Sequence, residues 1–339
     1  MYKQYLVTGA TGFLGRTLVR RLLWEGKRTK ALVMKNDPLI RHLPAETEIA
    51  IGNVCDEKSL ETFFSGADGS TCVIHCAGIV SVASHPDERV YPVNVGGSRH
   101  ILRYCEDRRV GKLIYVSSSH AIPETAGCSA PSEKMVFSPD SIRGHYAKSK
   151  AIATALMMEA AEGGLNVSVV FPTGILGPGD LGEGSITSML VSFLSGKLRL
   201  AVEGGYDFVD VRDAAAGIIL CAEYGLPGKG YLLSGHYATL REILDIANRA
   251  AGTKHRTYYL PIRVARIAAP LYENLCLRTG RPLYFTPDAV EVLASENKFC
   301  RDAALTALGY SPRSLESSVR DTVRWLLLRP PTGPRNNSH

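Results

Sequence analysis

The sequence has no unbroken apolar run near the roughly 18 residues that a membrane-spanning helix needs. Its start, MYKQYLVTGATG, runs straight into a strand-like segment and carries no apolar signal-peptide core. A cytoplasmic protein without a membrane span is therefore expected. There is no C-x-x-C pair either. The eight cysteines (55, 72, 76, 105, 128, 221, 276 and 300) are scattered, with no histidine at metal-ligand spacing. That pattern predicts no metal site and reduced thiols. Net charge is modest: 39 Lys+Arg against 33 Asp+Glu leave +6, far short of a nucleic-acid binder. The densest basic run (Arg16, Arg20, Arg21, Lys27, Arg28, Lys30) is interrupted by Leu18, Val19, Leu22, Leu23 and Trp24. It reads as an amphipathic helix with a solvated basic face, not as a nucleic-acid or anionic-membrane site.

What is present is a globular α/β chain of 339 residues, 45% hydrophobic and 21% charged. The first half alternates short β-branched runs with helical periods, the pattern of a parallel sheet covered by helices. Strands are predicted at Tyr5 to Thr8, Thr29 to Met34, Glu48 to Ile51, Cys72 to Cys76, Leu113 to Ser117 and Asn166 to Phe171. Helices are predicted over 13–25, 57–65, 87–108 and 141–162, the last stopping at Gly163-Gly164. After Pro172 comes a loop rich in glycine (174, 177, 179, 182, 184). Phe208 to Val211 and Tyr231 to Leu233 read as strands, with a helix over 214–223 between them. From Thr239 the chain is mainly helical, over 239–251, 262–279, 287–296 and 314–328. The expected architecture is a Rossmann-type doubly wound parallel sheet with a smaller, mainly helical substrate domain. Residues 1–175 would form the nucleotide-binding domain, with 206–235 returning to it. Residues 176–205 and 236–328 would form the substrate domain, and 329–339 a disordered tail.

Residues 8 to 15 read T-G-A-T-G-F-L-G, after a strand and before a helix. In that setting Gly9 allows a tight turn, Gly12 a close approach of a diphosphate, and Gly15 close helix–strand packing. The amides and dipole at the helix start favour an anion. At the end of the second strand, Met34-Lys35-Asn36-Asp37 should read the adenosine ribose. Lys35 favours the 2′-phosphate of NADP, while Asp37 offers a turn cap or a contact to a ribose hydroxyl.

Tyr146 and Lys150 are four apart at the start of a predicted helix, which puts both side chains on one face. An ammonium beside the phenol is expected to lower its pKa from about 10 towards working pH. Such a tyrosine exchanges a proton with a carbinol oxygen while hydride moves to or from a nicotinamide. Ser117, Ser118 and Ser119, just after the fifth strand, offer a hydroxyl to share that oxygen.

With these marks the chain resembles the extended short-chain dehydrogenase/reductase superfamily over roughly residues 3 to 328. Further matching segments are His75-Cys-Ala-Gly78, Asn94-Val-Gly-Gly97, Tyr115-Val-Ser-Ser118, Pro172-Thr-Gly-Ile-Leu-Gly-Pro178 and Val209-Asp-Val-Arg-Asp213. The resemblance implies Tyr146 as acid/base and Lys150 as the group that tunes it and holds the nicotinamide ribose. Ser118 is the implied contact to the substrate oxygen, with Ser119 as the alternative register. NADP or NAD would lie along Gly9, Thr11, Gly12, Phe13, Leu14, Gly15, Lys35, Asn53, Val54, Cys76, Ala77 and Gly78. Pro172, Thr173 and Gly174 would pass its nicotinamide. Asn53 stands where the superfamily usually has an acidic residue against the adenine, so a weakened contact is expected there. Asn94 is expected to be a structural hydrogen-bonder.

The Y-V-S-S, P-T-G-I-L-G-P and F-V-D-V-R-D segments look most like dihydroflavonol reductases and 3β-hydroxysteroid dehydrogenases. That likeness implies a reductase or dehydrogenase for a fairly apolar small molecule, and the apolar stretches Ile186 to Leu194 and Ile262 to Leu277 are either walls of its pocket or core and interface helices. The alternative is a nucleotide-sugar epimerase or dehydratase that recycles its NAD, with Arg199, Arg212 and Arg241 on a diphosphate. A non-catalytic NADP sensor would be expected to lack the Ser/Tyr/Lys set. Helices 87–108 and 141–162 are candidate homodimer faces.

Overall fold

The structure is a computed structural model that describes residues 2–81, 87–123, 137–181, 184–279, 286–295, 299 and 301–328. Its strands are β1 (Gln4–Thr8), β2 (Arg28–Val33), β3 (Glu48–Ile51), β4 (Thr71–His75), β5 (Lys112–Val116) and β6 (Val167–Pro172). They continue with β7 (Gly174–Leu176), β8 (Leu200–Val202), β9 (Gly205–Asp210), β10 (Lys229–Leu233), β11 (His236–Thr239) and β12 (Tyr258–Leu260). The helices are α1 (Phe13–Trp24), α2 (Glu61–Phe64), α3 (Gly97–Asp107), α4 (His145–Glu162), α5 (Ser185–Leu194) and α6 (Val211–Tyr224). After them come α7 (Leu240–Ala251), α8 (Ile262–Thr279), α9 (Pro287–Ala294), α10 (Asp302–Leu308) and α11 (Leu315–Leu328).

Seven strands form one parallel sheet in the order β10-β6-β5-β4-β1-β2-β3. Because successive side chains point to opposite faces, Leu6 joins Val73, Leu113 and Phe171 under α2, α3 and α4. Tyr5, Val7 and Ile74 instead pack beneath α1, α6 and α10. Both faces are covered, as a parallel sheet requires. This is the Rossmann-type doubly wound fold. The strand order reverses between β1 and β4, so their carboxyl ends open a crevice of the kind that takes a dinucleotide.

β9 lies outside the large sheet: it pairs with β7 and β11, and α6 and β10 then lie on and in the seven-stranded sheet. A third core joins β9 to α5, α7 and α11 through Phe193, Phe208, Ile243 and Val323. β12 pairs with β8, and a small fourth core packs Val202 against Ala265 and Ala269 of α8 and Val290 of α9.

Several expected boundaries shift. The helix expected from 87 is regular only from Gly97, because Pro92 opens a wider five-residue turn through Gly96. The helix expected from 141 starts at His145, since Gly144 adopts φ +83°, which side-chain-bearing residues avoid. The glycine-rich stretch after Pro172 contains β7, a strand made by tertiary pairing with β9. Residues 329–339 lie outside the described residues.

Candidate active site

The glycine turn closes tightly. Gly9 has φ +64°, and a Cβ there would stand 2.7 Å from the backbone nitrogen of Ala77. The Gly12 amide donates to the Gly9 carbonyl at 3.1 Å, and a Cβ on Gly15 would stand 2.1 Å from that carbonyl oxygen. Strand, turn and α1 are therefore packed backbone to backbone. The first amides of α1, at half-buried Phe13 and Leu14, face the crevice end of β1. Arg16, 2% exposed, holds the turn from behind by donating to the carbonyls of Thr11 (2.8 Å) and Gly179.

A chain of buried hydroxyl, imidazole and amide groups links this turn to α4. Thr8 Oγ1 accepts from the Ala77 amide and bonds His75 Nδ1 at 2.7 Å. His75 Nε2 meets Ser98 Oγ at 3.1 Å, and Ser98 donates to the Asn94 carbonyl. Burial holds His75 neutral, its pKa pushed down to about 3. Asn94 grips both backbone groups of Ile79 and donates to Ser149 Oγ at 2.9 Å. Ser149 in turn donates to the Tyr146 carbonyl at 2.7 Å. The network fixes α4 against the end of β4 without using either candidate catalytic side chain.

Lys150 is 4% exposed, donates to the Val116 carbonyl at 2.8 Å and lies 5.0 Å from the Tyr115 ring centroid. Burial lowers its pKa to about 8. A Cβ added at Gly78 would come within 3.3 Å of its Nζ and 3.2 Å of Asn94 Oδ1, so only glycine leaves that cradle open. Tyr146 is half-buried, and the expected direction of its shift is reversed. Desolvation of the phenolate raises its pKa, and the opposing influence is a hydrogen bond with Ser118 rather than the lysine. Lys150 is turned to Val116 and leaves the phenol without ammonium support.

The three serines diverge. Ser117 Oγ bonds Thr154 Oγ1 at 2.7 Å and Ser119 Oγ bonds the hydroxyl of Tyr206 at 2.8 Å, while Ser118 Oγ accepts from the His120 amide at 3.3 Å and acts on the Tyr146 phenol. Ser118→Ala should therefore lower kcat by about 10–100-fold. Ser119→Ala, which loosens only Tyr206, should act mainly on KM. Equal losses of kcat in steady-state assays would contradict this division.

The remaining predicted positions differ in exposure and in their partners. Lys35 is exposed just after β2. Asp37 accepts from Thr11 Oγ1 at 2.6 Å and from the Leu39 amide at 2.8 Å, so it caps a turn. Asn53 is exposed, and its amide oxygen accepts from the Cys55 amide at 2.9 Å. Val54 is buried, its side chain against Gly97. Cys76 is half-buried, with burial pushing its thiol up to about 12, so it is a thiol rather than a nucleophile. Pro172 ends β6; Thr173 is buried; Gly174 faces the rings of Tyr206 and Phe208, where a Cβ would stand about 3 Å from both.

Two site residues were missed from the sequence. His120 stacks on Tyr206 (5.4 Å, 7°) and meets Tyr146 edge-on at 6.2 Å. Tyr206 also touches Phe208 and Phe299. They lie 60 and more residues from Tyr146 or in an irregular turn, so no periodicity marks them. Two expectations are corrected. Ile262 to Leu277 does not wall the site with its large side chains: Ile267 is 77% and Leu271 72% exposed. Within Ile186 to Leu194, Met189, Leu190 and Phe193 are core residues.

The model of the NAD-dependent epimerase/dehydratase family matches residues 5–233, which span the crevice, the glycine turn and Tyr146. The chain belongs to this family. Among curated family relatives it is 28% identical over 325 residues to sterol demethylase protein B of Methylococcus capsulatus, covering 94% of this chain and 97% of that one. It is 27% identical to a putative dihydroflavonol 4-reductase of Synechocystis, covering 95% and 94%. Its fold superposes on the crystal structure of gox2253 with a TM-score of 0.79 at 28% identity, over 96% of this chain and 98% of that one. The chain is thus an enzyme of the extended short-chain type. The family's NAD-type cofactor fits what this chain offers: a glycine turn packed too tightly for a Cβ at Gly9 or Gly15, a glycine at 78 beside the Lys150 ammonium, and a helix start at an open crevice. Among the described residues no cluster suited to a metal ion occurs and no helix is long and apolar enough to cross a membrane.

Proposed function

We propose that this chain is an NAD(P)-dependent oxidoreductase that interconverts a secondary alcohol and a ketone on a fairly apolar small molecule. The observation that carries this reading is the placement of Tyr146 where the Ser118 hydroxyl acts on its phenol, with Lys150 one turn further along α4, at the carboxyl edge of the sheet. When bound, the nicotinamide supplies or accepts the hydride. Tyr146 gives its proton to, or takes it from, the substrate oxygen, and Ser118 shares that oxygen and stabilises its charge. Because burial raises the Tyr146 pKa, the side chain is a phenol at neutral pH and is suited to donate. Reduction of a ketone is the direction this supports.

The surroundings support an apolar substrate. His120, Tyr206, Phe208 and Phe299 form an aromatic wall beside Tyr146. Two of the arginines that a sugar diphosphate would need are engaged: Arg212 is paired with Asp210 at 2.7 Å and Asp321 at 3.0 Å, and Arg241 lies over the Tyr259 ring at 4.0 Å. NADP is favoured over NAD because Asp37 has both oxygens engaged while Lys35 is exposed at the ribose end. A cytoplasmic homodimer through α3 and α4 completes the reading.

The test is a turnover screen with NADP(H) and NAD(H) in parallel on hydroxysteroids, flavonoid-like ketones, simple secondary alcohols and nucleotide sugars, following nicotinamide absorbance and product mass. Net nicotinamide change with an alcohol or ketone is expected. Sugar conversion without net nicotinamide change would replace this reading with the epimerase or dehydratase one.

A further inference from the structure

α8 is built inside out. The face it turns to the protein consists of Ala265, Ala269, Cys276 and Glu273, its only acidic residue, all buried. The opposite face carries Val264 (47% exposed), Ile267 (77%), Leu271 (72%) and Leu275 (50%). Positions 264, 267, 271 and 275 follow the three- and four-residue spacing of a single helical stripe. A solvent-facing helix would place these side chains the other way round, and a contiguous exposed apolar stripe marks an interaction surface.

The exposed charges on α8 itself and on the segment just before it are cations, while exposed Glu203 lies beside Leu260. Arg263 and Arg278 flank it and are exposed, while Arg266 is paired with Glu291 of α9. Just upstream, Lys254, Arg256 and Tyr258 are exposed. Between Asp245 and Glu273 the chain has five Lys/Arg residues (Arg249, Lys254, Arg256, Arg263, Arg266) and no Asp or Glu. Leu200, also exposed, is the ladder partner of Tyr258.

We propose that this face seats the protein on an anionic lipid surface, with α8 lying in the plane of the interface, its stripe among the acyl chains and its flanking cations among the headgroups. A second copy fits less well. Two α8 stripes paired antiparallel across a two-fold axis would bring Arg263 of one copy towards Arg278 of the other, and the outward face of α8 carries no acidic residue to take either charge. Acidic headgroups supply those partners. The surface also lies close behind the site. Glu273 acts electrostatically on Asp288 of α9, and Asp288 Oδ2 would stand 3.2 Å from a Cβ on Gly144, two residues before Tyr146. Delivery of an apolar substrate from the bilayer rests on the proposed activity; the surface attachment does not.

The experiment is flotation of the full chain with vesicles of phosphatidylcholine alone or of phosphatidylcholine and phosphatidylglycerol, which needs no substrate. Binding at least about tenfold stronger to the anionic vesicles is expected, weakened by salt. The double variant Ile267→Glu/Leu271→Glu should lose that binding, and Lys254→Glu/Arg256→Glu should lose its dependence on phosphatidylglycerol. All four side chains are exposed, so melting temperature and cofactor binding should stay as in the parent. A parent chain left in the supernatant with anionic vesicles, or a double variant that floats undiminished, overturns the proposal. So does a dimer in light scattering that Ile267→Glu/Leu271→Glu dissociates, which would assign the stripe to a second copy.

Discussion

Tyr146→Phe is expected to lower kcat by about 10²–10⁴-fold, the range for removal of a positioned acid/base group. The hydroxyl is the only part lost. The ring keeps its edge-on contact with His120, and α4 keeps the Ser149 bond to the backbone carbonyl of residue 146. Cofactor affinity, measured by fluorescence titration of the reduced nicotinamide, should therefore change by less than about threefold. The loss should be the same at every substrate concentration, because the missing proton is needed in the transition state and not for binding. Near-normal turnover in stopped-flow and steady-state assays would remove Tyr146 from proton transfer.

Lys150→Met should separate function from stability. The parent ammonium is buried, with one carbonyl partner and a pKa of about 8. An unfolded lysine holds its proton to about pH 10.4. The folded state binds that proton less tightly, so burying the ammonium is a destabilising cost fully present below pH 8. The cost is relieved as pH rises from about 8 towards 10, so stability should increase across that window. Methionine removes the charge and forfeits one hydrogen bond, so at pH 7 the variant should be more stable by about 1–2 kcal/mol. At the same time kcat/KM should fall about 100-fold or more, since the cation beside the Gly78 cradle is gone. In the parent, cofactor affinity should weaken as pH passes 8, and that inflection should vanish in the variant. Thermal melts across pH together with titrations of both proteins read all three effects. Lower stability with intact turnover would make Lys150 a structural residue.

Legibility of the site in the sequence followed the range of the forces involved. T-G-A-T-G-F-L-G could be read because each glycine answers a local backbone constraint: φ +64° at Gly9 and contacts at Gly9 and Gly15 that exclude a Cβ. Tyr146 and Lys150 could be paired because four residues make one helical turn. The strands of the large sheet were readable within one or two residues at each end, because burial on both faces demands near-continuous apolar runs. The sign of the Tyr146 shift was not readable. It depends on how much water the surrounding protein excludes and on where Lys150 Nζ turns, and spacing encodes neither.

The sequence by itself determined the doubly wound sheet, the glycine turn and the shared helix face of Tyr146 and Lys150, all products of periodicity and backbone sterics within some 20 residues. Only the tertiary structure decided that Ser117 and Ser119 turn to Thr154 and Tyr206, that His120 and Tyr206 stand near Tyr146, that Asp37 caps a turn, and that α8 turns its leucines outward. Those outcomes depend on contacts between segments far apart in the chain, where one hydrogen bond or one packed face chooses among side chains that look equivalent along the sequence.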